Sequence, residues 1–478
     1  MKKNKRLCIL LTLYFSIGQI DAQTPLSFEE SLHLLNQGNQ SLKIADKSIE
    51  IAKAERDKLN AFWYPSLQST GAFVHMSEKI EVKQPLSQFT DPAKDFVHSI
   101  VPDDKFISSI LDNIGAHTLT FPLLERNLTT IDANVMWPLF TGGKRIFATR
   151  IGNRMVDLAK AGREEAGATL QSELVETYYA LRLAQRVVDV REQTFLGLQK
   201  HYRNAMKLEK NGMINKAERL FAQVTMDEAR RELESARKDL NVAQNALKVL
   251  LNVEDATSIN PSSPLFMNHD LPDELYFKNL VSTGNYIVSK LRIQEVMADN
   301  QLKISKSAYI PTIALFGKQT LYADNLPKNL MPRTLIGVGF TWNIFDGLNR
   351  EANIRQARLT KQTLQLGREK VQNELGVLVD KLYSEIQNAK DDVAALNTTI
   401  EMSRELVRIR KKSFQEGMAT STDVIDAETM LSKVQIAFLL AYYKYDVALA
   451  SLLSTCGMPE SFWQYSRTGQ TENFIFGK

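Results

Sequence analysis

Asp423 and Asp426 stand three residues apart in "EGMATSTDVIDAETML" (416–431), just past Gly417, which ends one long helical pattern before another begins. Acids at that spacing lie on one side of a helix, where they can face the same surroundings. "TSTD" (420–423) also spaces Thr420 and Asp423 as a capping box, and the helix dipole favours any acid in a first turn. Asp423 therefore reads equally as a cap. Asp426, further in, is the better candidate for a face turned toward ions. Catalytic company is missing. The six histidines (His33, His75, His98, His117, His201, His269) are scattered and form no His-Glu-x-x-His or paired ligand pattern. "TGGKR" (141–145) has no glycine five residues before Gly143 and no Ser or Thr after Lys144, so it is a turn from strand into helix, not a phosphate loop. "GVGFTW" lacks the third glycine of a dinucleotide site, and no Ser, His and Asp set stands out. An enzyme is not expected, nor any cofactor or metal.

Composition sets wide bounds: 478 residues, 44% hydrophobic and 24% charged, are enough for two or more ordinary domains. The first segment, "MKKNKRLCILLTLYFSIGQIDAQ", has a basic start, an apolar stretch from Leu7 to Ile17 and a small residue, Ala22, before Gln23. That is the pattern of a cleavable secretory signal over residues 1–22. Cys8 lies inside the apolar stretch and not at its end, so cleavage leaves Cys456 alone and no disulfide within one mature chain. The signal takes four basic residues and one acid with it, leaving 55 basic against 54 acidic, so no nucleic-acid surface is implied. Beyond the signal no uninterrupted apolar run reaches the length of a membrane-spanning helix, which leaves a β-barrel as the route into a bilayer.

The elements that must position the acids come in duplicate. In "MWPLFTGGKR" (136–145) and "TWNIFDGLNR" (341–350), Trp137, Phe140, Gly142 and Arg145 fall on Trp342, Phe345, Gly347 and Arg350, each 205 residues on. The same offset pairs Gly162 with Gly367, Tyr178 with Tyr383, Gly212 with Gly417 and Met213 with Met418. Upstream the offset is 246, pairing Gly38 with Gly284, Asn39 with Asn285 and Pro65 with Pro311. The first copy thus carries 41 extra residues, within a Pro-, Asp- and Ser-rich stretch (77–129) expected to be a long loop. The expected domains are 1–22 signal, 23–255 first repeat, 256–272 linker, 273–460 second repeat and 461–478 tail.

Each repeat has the same order: helix, strand, loop, strand, very long helix, glycine turn near 212 or 417, long helix. In "TLIGVGFTWNIFDG", Ile336, Val338, Phe340, Trp342 and Ile344 alternate with Leu335, Gly337, Gly339, Thr341 and Asn343. Ile131, Ala133, Val135, Trp137 and Leu139 do likewise in the first copy. One face is apolar and the other small or polar, as in a membrane strand ending in an aromatic girdle or in a soluble two-faced sheet. From Gly347 to Phe414 there is no proline, and apolar residues recur in steps of three and four. A helix of that length extends roughly 100 Å at about 1.5 Å per residue.

Together these features resemble the TolC-like outer-membrane efflux proteins, most specifically through "KNGMINKAERLFAQ" (210–223), "EGMATSTDVIDAETML" and the joins "PLFTGGKR" and "NIFDGLNR". The resemblance implies a mainly α fold with a small β part. Four strands from each chain of a homotrimer would complete a twelve-stranded outer-membrane barrel, continued by a long α-helical periplasmic tunnel. Physics asks for an oligomer independently, since four strands cannot close a barrel and leave unpaired edges in lipid. The family further implies a periplasmic adaptor, or membrane fusion protein, docked at the turns (Gly212, Met213, Gly417, Met418), with an inner-membrane transporter behind it. It implies a channel constriction lined by Asp423, Asp426 and Glu218, which lies opposite Asp423 in the repeat. Gly142 and Gly347 would be the strand-to-helix joins, and Trp137, Phe340 and Trp342 would face outer-membrane lipid. Phe414 and Ala419 stand where relatives that close by a tyrosine and arginine network have those residues, so that latch is not carried over. The expected function is the passive exit duct of a tripartite efflux system. The alternatives are the duct of a type I protein secretion system and, from another class, a non-catalytic periplasmic helical adaptor or scaffold.

Overall fold

A computed structural model describes residues 24–100, 105–253, 259–325 and 332–472. The signal expected over 1–22 lies outside them, as do the last residues of the expected tail. The first repeat runs β1 (Thr24–Leu26), α1 (Phe28–Gly38), α2 (Gln40–Asn60), β2 (Ser66–His75), β3 (Ile80–Pro85), α3 (Ser87–Ile100), α4 (Lys105–Gly115), β4 (Thr118–Leu124), β5 (Asn127–Phe140), α5 (Lys144–Lys210) and α6 (Lys216–Leu251). Short strands β6 (Ile259–Pro261) and β7 (Phe266–Met267) follow. The second repeat is α7 (Glu274–Gly284), α8 (Tyr286–Ser307), β8 (Thr312–Asp324), β9 (Thr334–Thr341), α9 (Asn349–Gln415) and α10 (Ser421–Thr455), and α11 (Ser461–Thr468) and β10 (Gln470–Thr471) close the chain. Contacts divide the chain into two units, one of Met1–Ala52, Val156–Glu295 and Thr363–Lys478, the other of Lys53–Met155 and Val296–Gln362.

The second of these units holds an antiparallel sheet of order β2-β5-β8-β9. Ladder partners share a face, so Leu67 with Val135, Val135 with Gly317 and Gly317 with Ile336 form one lateral row, and Trp137, Leu315 and Val338 the next. In these two rows that face is apolar; the row on the other side of Val135 holds Ser69, Ala133, Gln319 and Thr334, where the Thr334 hydroxyl donates to Gln319 Oε1. The other face is polar and internally bonded: Asn134 donates to Thr70 at 2.7 Å, Thr320 donates to Asp132 at 2.7 Å, and Lys318 pairs with Asp132 at 2.8 Å. The Phe316 ring lies on this face over Gly337, where a Cβ would come within 2.7 Å of it. Strand β9 stops at Thr341, so Trp342 and Ile344 lie past it, not within it as their alternation implies. The expected loop 77–129 carries secondary structure in its described residues: β3, α3, α4 and β4, with β3 and β4 paired as a ribbon.

In the first unit the duplicated Gly-Asn pairs find their purpose. Asn39 Nδ2 donates to the Leu250 carbonyl at 3.0 Å, and Asn285 Nδ2 to the Thr455 carbonyl at 2.9 Å, residues that are themselves 205 apart. Each asparagine satisfies a carbonyl left open at a helix C-terminus. The preceding glycine lets the chains approach, since a Cβ at Gly284 would lie 2.5 Å from the Cys456 carbonyl oxygen. The core here centres on a cluster of Phe28, Tyr178, Tyr179, Phe266 and Phe462, with ring centroids between 5.3 and 6.1 Å. The expected linker and tail contribute to it: β6 pairs with β1, β10 with β7, and Glu472 meets Arg182 at 2.9 Å. Helix α10 is long and apolar enough to cross a membrane, although single charges break its runs. Of its most apolar window 61% is buried, which makes it a core helix.

Candidate functional site at the paired helical turns

Gly212 and Gly417 end α5 and α9 with φ of +74° and +75°, a conformation glycine adopts without strain. The following amides close the turn: Met213 N–H donates to the Leu208 carbonyl and Met418 N–H to that of Ser413, both at 2.9 Å. This is the αL helix stop that satisfies last-turn carbonyls. It leaves Met213 and Met418 exposed at the tips. The two turns meet. One cleft of about 280 Å³ is lined by residues of both, among them Met213, Glu218, Gly417, Met418 and Asp423. Gly212 lies beside this cleft in sequence and Asp426 one helical turn beyond it; neither lines it.

Asp423 closes a capping box. Its Oδ2 accepts from the Thr420 N–H at 2.9 Å and the Thr420 hydroxyl at 2.8 Å, and its own N–H donates to that hydroxyl at 3.3 Å. The Thr420 N–H, then its hydroxyl, and Arg410 hold the Asp423 carboxyl below the ordinary carboxylate range. Arg410 on α9 stands 3.2 Å from it. Glu218 occupies the matching place in the first repeat, where Asn215 Oδ1 accepts from the Glu218 N–H at 2.9 Å. Asp426 is exposed and lies outside this network.

Behind the turns, Leu198, Ala205, Ala222, Met226, Phe414, Val424 and Ile425 form a small core that joins the two hairpins. Phe414 is buried there with the His201 ring 4.6 Å away, and His201 Nε2 shares a 2.7 Å hydrogen bond with Ser421. In the first hairpin the places of Phe414 and Val424 are taken by Glu209 and Arg219, an ion pair at 2.8 Å. His201 could not be singled out from sequence, because its partners lie 220 and 213 residues away. Burial, then Lys411, lowers the His201 pKa from 6.5 to about 4. An imidazole that resists protonation only when packed stabilises the joint fully above pH 6.5 and progressively less as pH falls toward 4. Protease cleavage at the turns should therefore quicken between pH 7 and pH 5 in the natural chain, and His201→Gln should abolish that pH dependence.

The strand-to-helix joins repeat as closely as the turns. Gly142 and Gly347 take φ of +60° and +70°. The Trp137 indole donates to the Trp63 carbonyl at 3.0 Å, and the Trp342 indole to the Tyr309 carbonyl at 3.2 Å. Arg145 stacks over Trp63 at 4.4 Å and Arg350 over Tyr309 at 4.6 Å. Each guanidinium also donates to carbonyls before its helix, Leu139 at the end of β5 for Arg145, and Asn343 and Ile344 just past β9 for Arg350. The arginines were visible as a repeated pair, and the structure supplies their work: they lock strand end to helix start. Phe340 and, to a lesser degree, Trp137 are exposed on the face of the apolar rows, and Trp342, past the end of β9, is exposed as well.

A sheet with apolar rows on one face, and locked strand-to-helix joins and capped helical turns that occur once in each repeat, are the parts of an outer-membrane channel protein. The chain belongs to the outer membrane efflux protein family, whose family model matches residues 125–253 and 287–458. It is similar to the outer membrane efflux protein BepC of Brucella suis, with 23% identity over 287 residues, 59% of this chain and 62% of that one. It is also similar to the alkaline protease secretion protein AprF of Pseudomonas aeruginosa, with 22% identity over 293 residues, 60% of each chain. The match thus spans about three fifths of the length of these relatives. Among solved structures it shares its fold with CusC, at 16% identity and TM-score 0.70 over 93% of this chain and 95% of that one. It shares it also with VceC of Vibrio cholerae, at 15% identity and TM-score 0.71 over 90% and 96%. The protein is placed in the outer membrane with a periplasmic extension, and the reading as a periplasmic adaptor or scaffold falls away.

Proposed function

We propose that three copies close a twelve-stranded barrel and form the passive exit duct of a tripartite efflux system. An inner-membrane transporter would drive export of small molecules through a periplasmic adaptor. The observation that carries this reading is the sheet: apolar rows across all four strands on one face, a bonded polar cluster on the other, with β2 and β9 each paired on one side only among the described residues. Free edges in lipid are too costly to stand, and β9 of one copy meeting β2 of the next removes them. Residues 1–22 act as the leader. Met213 and Met418 offer the adaptor adaptable apolar contacts, and Asp426 and Glu218 line the constriction. The test is fractionation followed by native mass measurement and planar-bilayer recording. A processed trimer from the outer membrane that conducts ions is expected. An uncleaved chain in the cytoplasm contradicts the proposal.

Similarity to a protease secretion protein favours one second reading, the duct of a type I protein secretion system. Deleting the chain separates the two: efflux predicts greater sensitivity to small toxic compounds, secretion predicts loss of a protein from the medium.

A further inference from the structure

The insertion in the first repeat is built as an extension of the sheet. The β2/β5 ladder ends at His75 and Asn127, the Met76 N–H donates to the Arg126 carbonyl at 2.8 Å, and β3/β4 pairing resumes at Ile80 and Leu124. Helices α3 and α4 cap this ribbon. They pack against each other where Gly115 meets Thr90, and Lys94 of α3 bridges to Asp112 of α4. Packing leaves an apolar stripe on each. Phe89 and Phe96 lie seven residues apart on α3, 63% and 66% exposed. On α4, Phe106 is 74% exposed and heads the row Phe106, Ile110, Ile114. The ribbon adds Val82 and Phe121, ladder partners that are both exposed. Aromatic side chains carry roughly 150–250 Å² each, so this surface rivals the largest apolar patch of an ordinary soluble protein and marks a docking face.

Its charge argues against lipid. Residues 77–126 hold eight acids and five bases, whereas helices that lie in a membrane surface set Lys and Arg on their polar side. Position argues for a second copy of this chain. The ribbon prolongs β2, a free edge of the sheet, so a copy that pairs with that edge is brought beside the insertion. We propose that the α3–α4 pairs of neighbouring subunits pack stripe against stripe, forming a second subunit interface beyond the end of the barrel. This rests on the trimeric reading.

Photo-crosslinking of the full-length protein in its native membrane tests it, with benzoylphenylalanine replacing Phe96 or Phe106 and, as a control on the polar side, Asp95. Adducts of two chain masses from positions 96 and 106, and none from 95, are expected. Phe89→Asp in the same background should reduce those adducts to background while native mass still gives a trimer. An intact trimer without adducts, or with adducts to lipopolysaccharide, overturns the interface alone. A monomer overturns it together with the trimer.

Discussion

Arginine at position 336 should destabilise the assembled barrel by about 2–4 kcal/mol, the range for a cationic side chain at the lipid midplane. Arginine at 335 should leave assembly nearly unchanged and alter conductance instead. The neighbours differ only in face: Ile336 continues the apolar row of Val135 and Gly317, and Leu335 is the ladder partner of Lys318, which already carries a charge. Depth selects 336 over the more conspicuous Phe340. Ile336 lies five residues inside the strand end at Thr341, about 17 Å along the strand and about 13 Å deep at the usual tilt, half of a band about 25 Å tall. Phe340 is one residue from that end, where arginine should cost only about 0–1 kcal/mol. Reversible folding into vesicles, followed by denaturant titration of each variant, measures the difference. Equal costs at 335 and 336 would remove the assignment of faces.

Asp426→Ala should weaken cation preference and relieve block by multivalent cations without loss of the trimer. In the proposed trimer, three exposed carboxylates around a narrow opening would repel one another and hold cations by Coulomb attraction that little intervening water screens. Asp423→Asn should do something else. Its charge is already met by Arg410 and by the Thr420 hydrogen bonds, so selectivity should hardly move while the start of α10 frays. The pH dependence has a definite sign. A carboxyl held below its unfolded value contributes to stability above the ordinary carboxylate range and loses that contribution as pH falls through its own lower value. Reversal potentials in asymmetric salt decide the matter. A shift for Asp423→Asn and none for Asp426→Ala would exchange the two roles.

Periodic and repeated features were legible in the residue string, because they reflect local geometry twice over. Gly212 and Gly417 announce the turns, and Trp137 and Trp342 the strand ends. The insertion was not legible: α3 has Pro92 inside it, its helices are only 14 and 11 residues long, and a Pro- and Asp-rich composition ordinarily marks a loop. Strands of two or three residues such as β7 and β10 carry no periodicity and exist only because a partner fixes them. The dual reading of Asp423 could not be resolved without Arg410, whose distance from it is a matter of helix packing. His201 has no neighbour in sequence that betrays its bond to Ser421.

Near the tip of each hairpin an ion pair joins its two helices, Glu209 to Arg219 in the first and Arg410 to Asp423 in the second, while a core drawn from both hairpins, Leu198, Ala222, Phe414 and Val424 among its residues, holds one hairpin to the other. An ionic brace weakens as dissolved salt screens it, whereas an apolar one tightens in salts that are excluded from protein surface. The joint within each hairpin and the seam between hairpins therefore answer the medium oppositely: a rise in such a salt slackens each tip and tightens the seam. In the proposed ring of such subunits, single tips would yield before the paired hairpins of a subunit part.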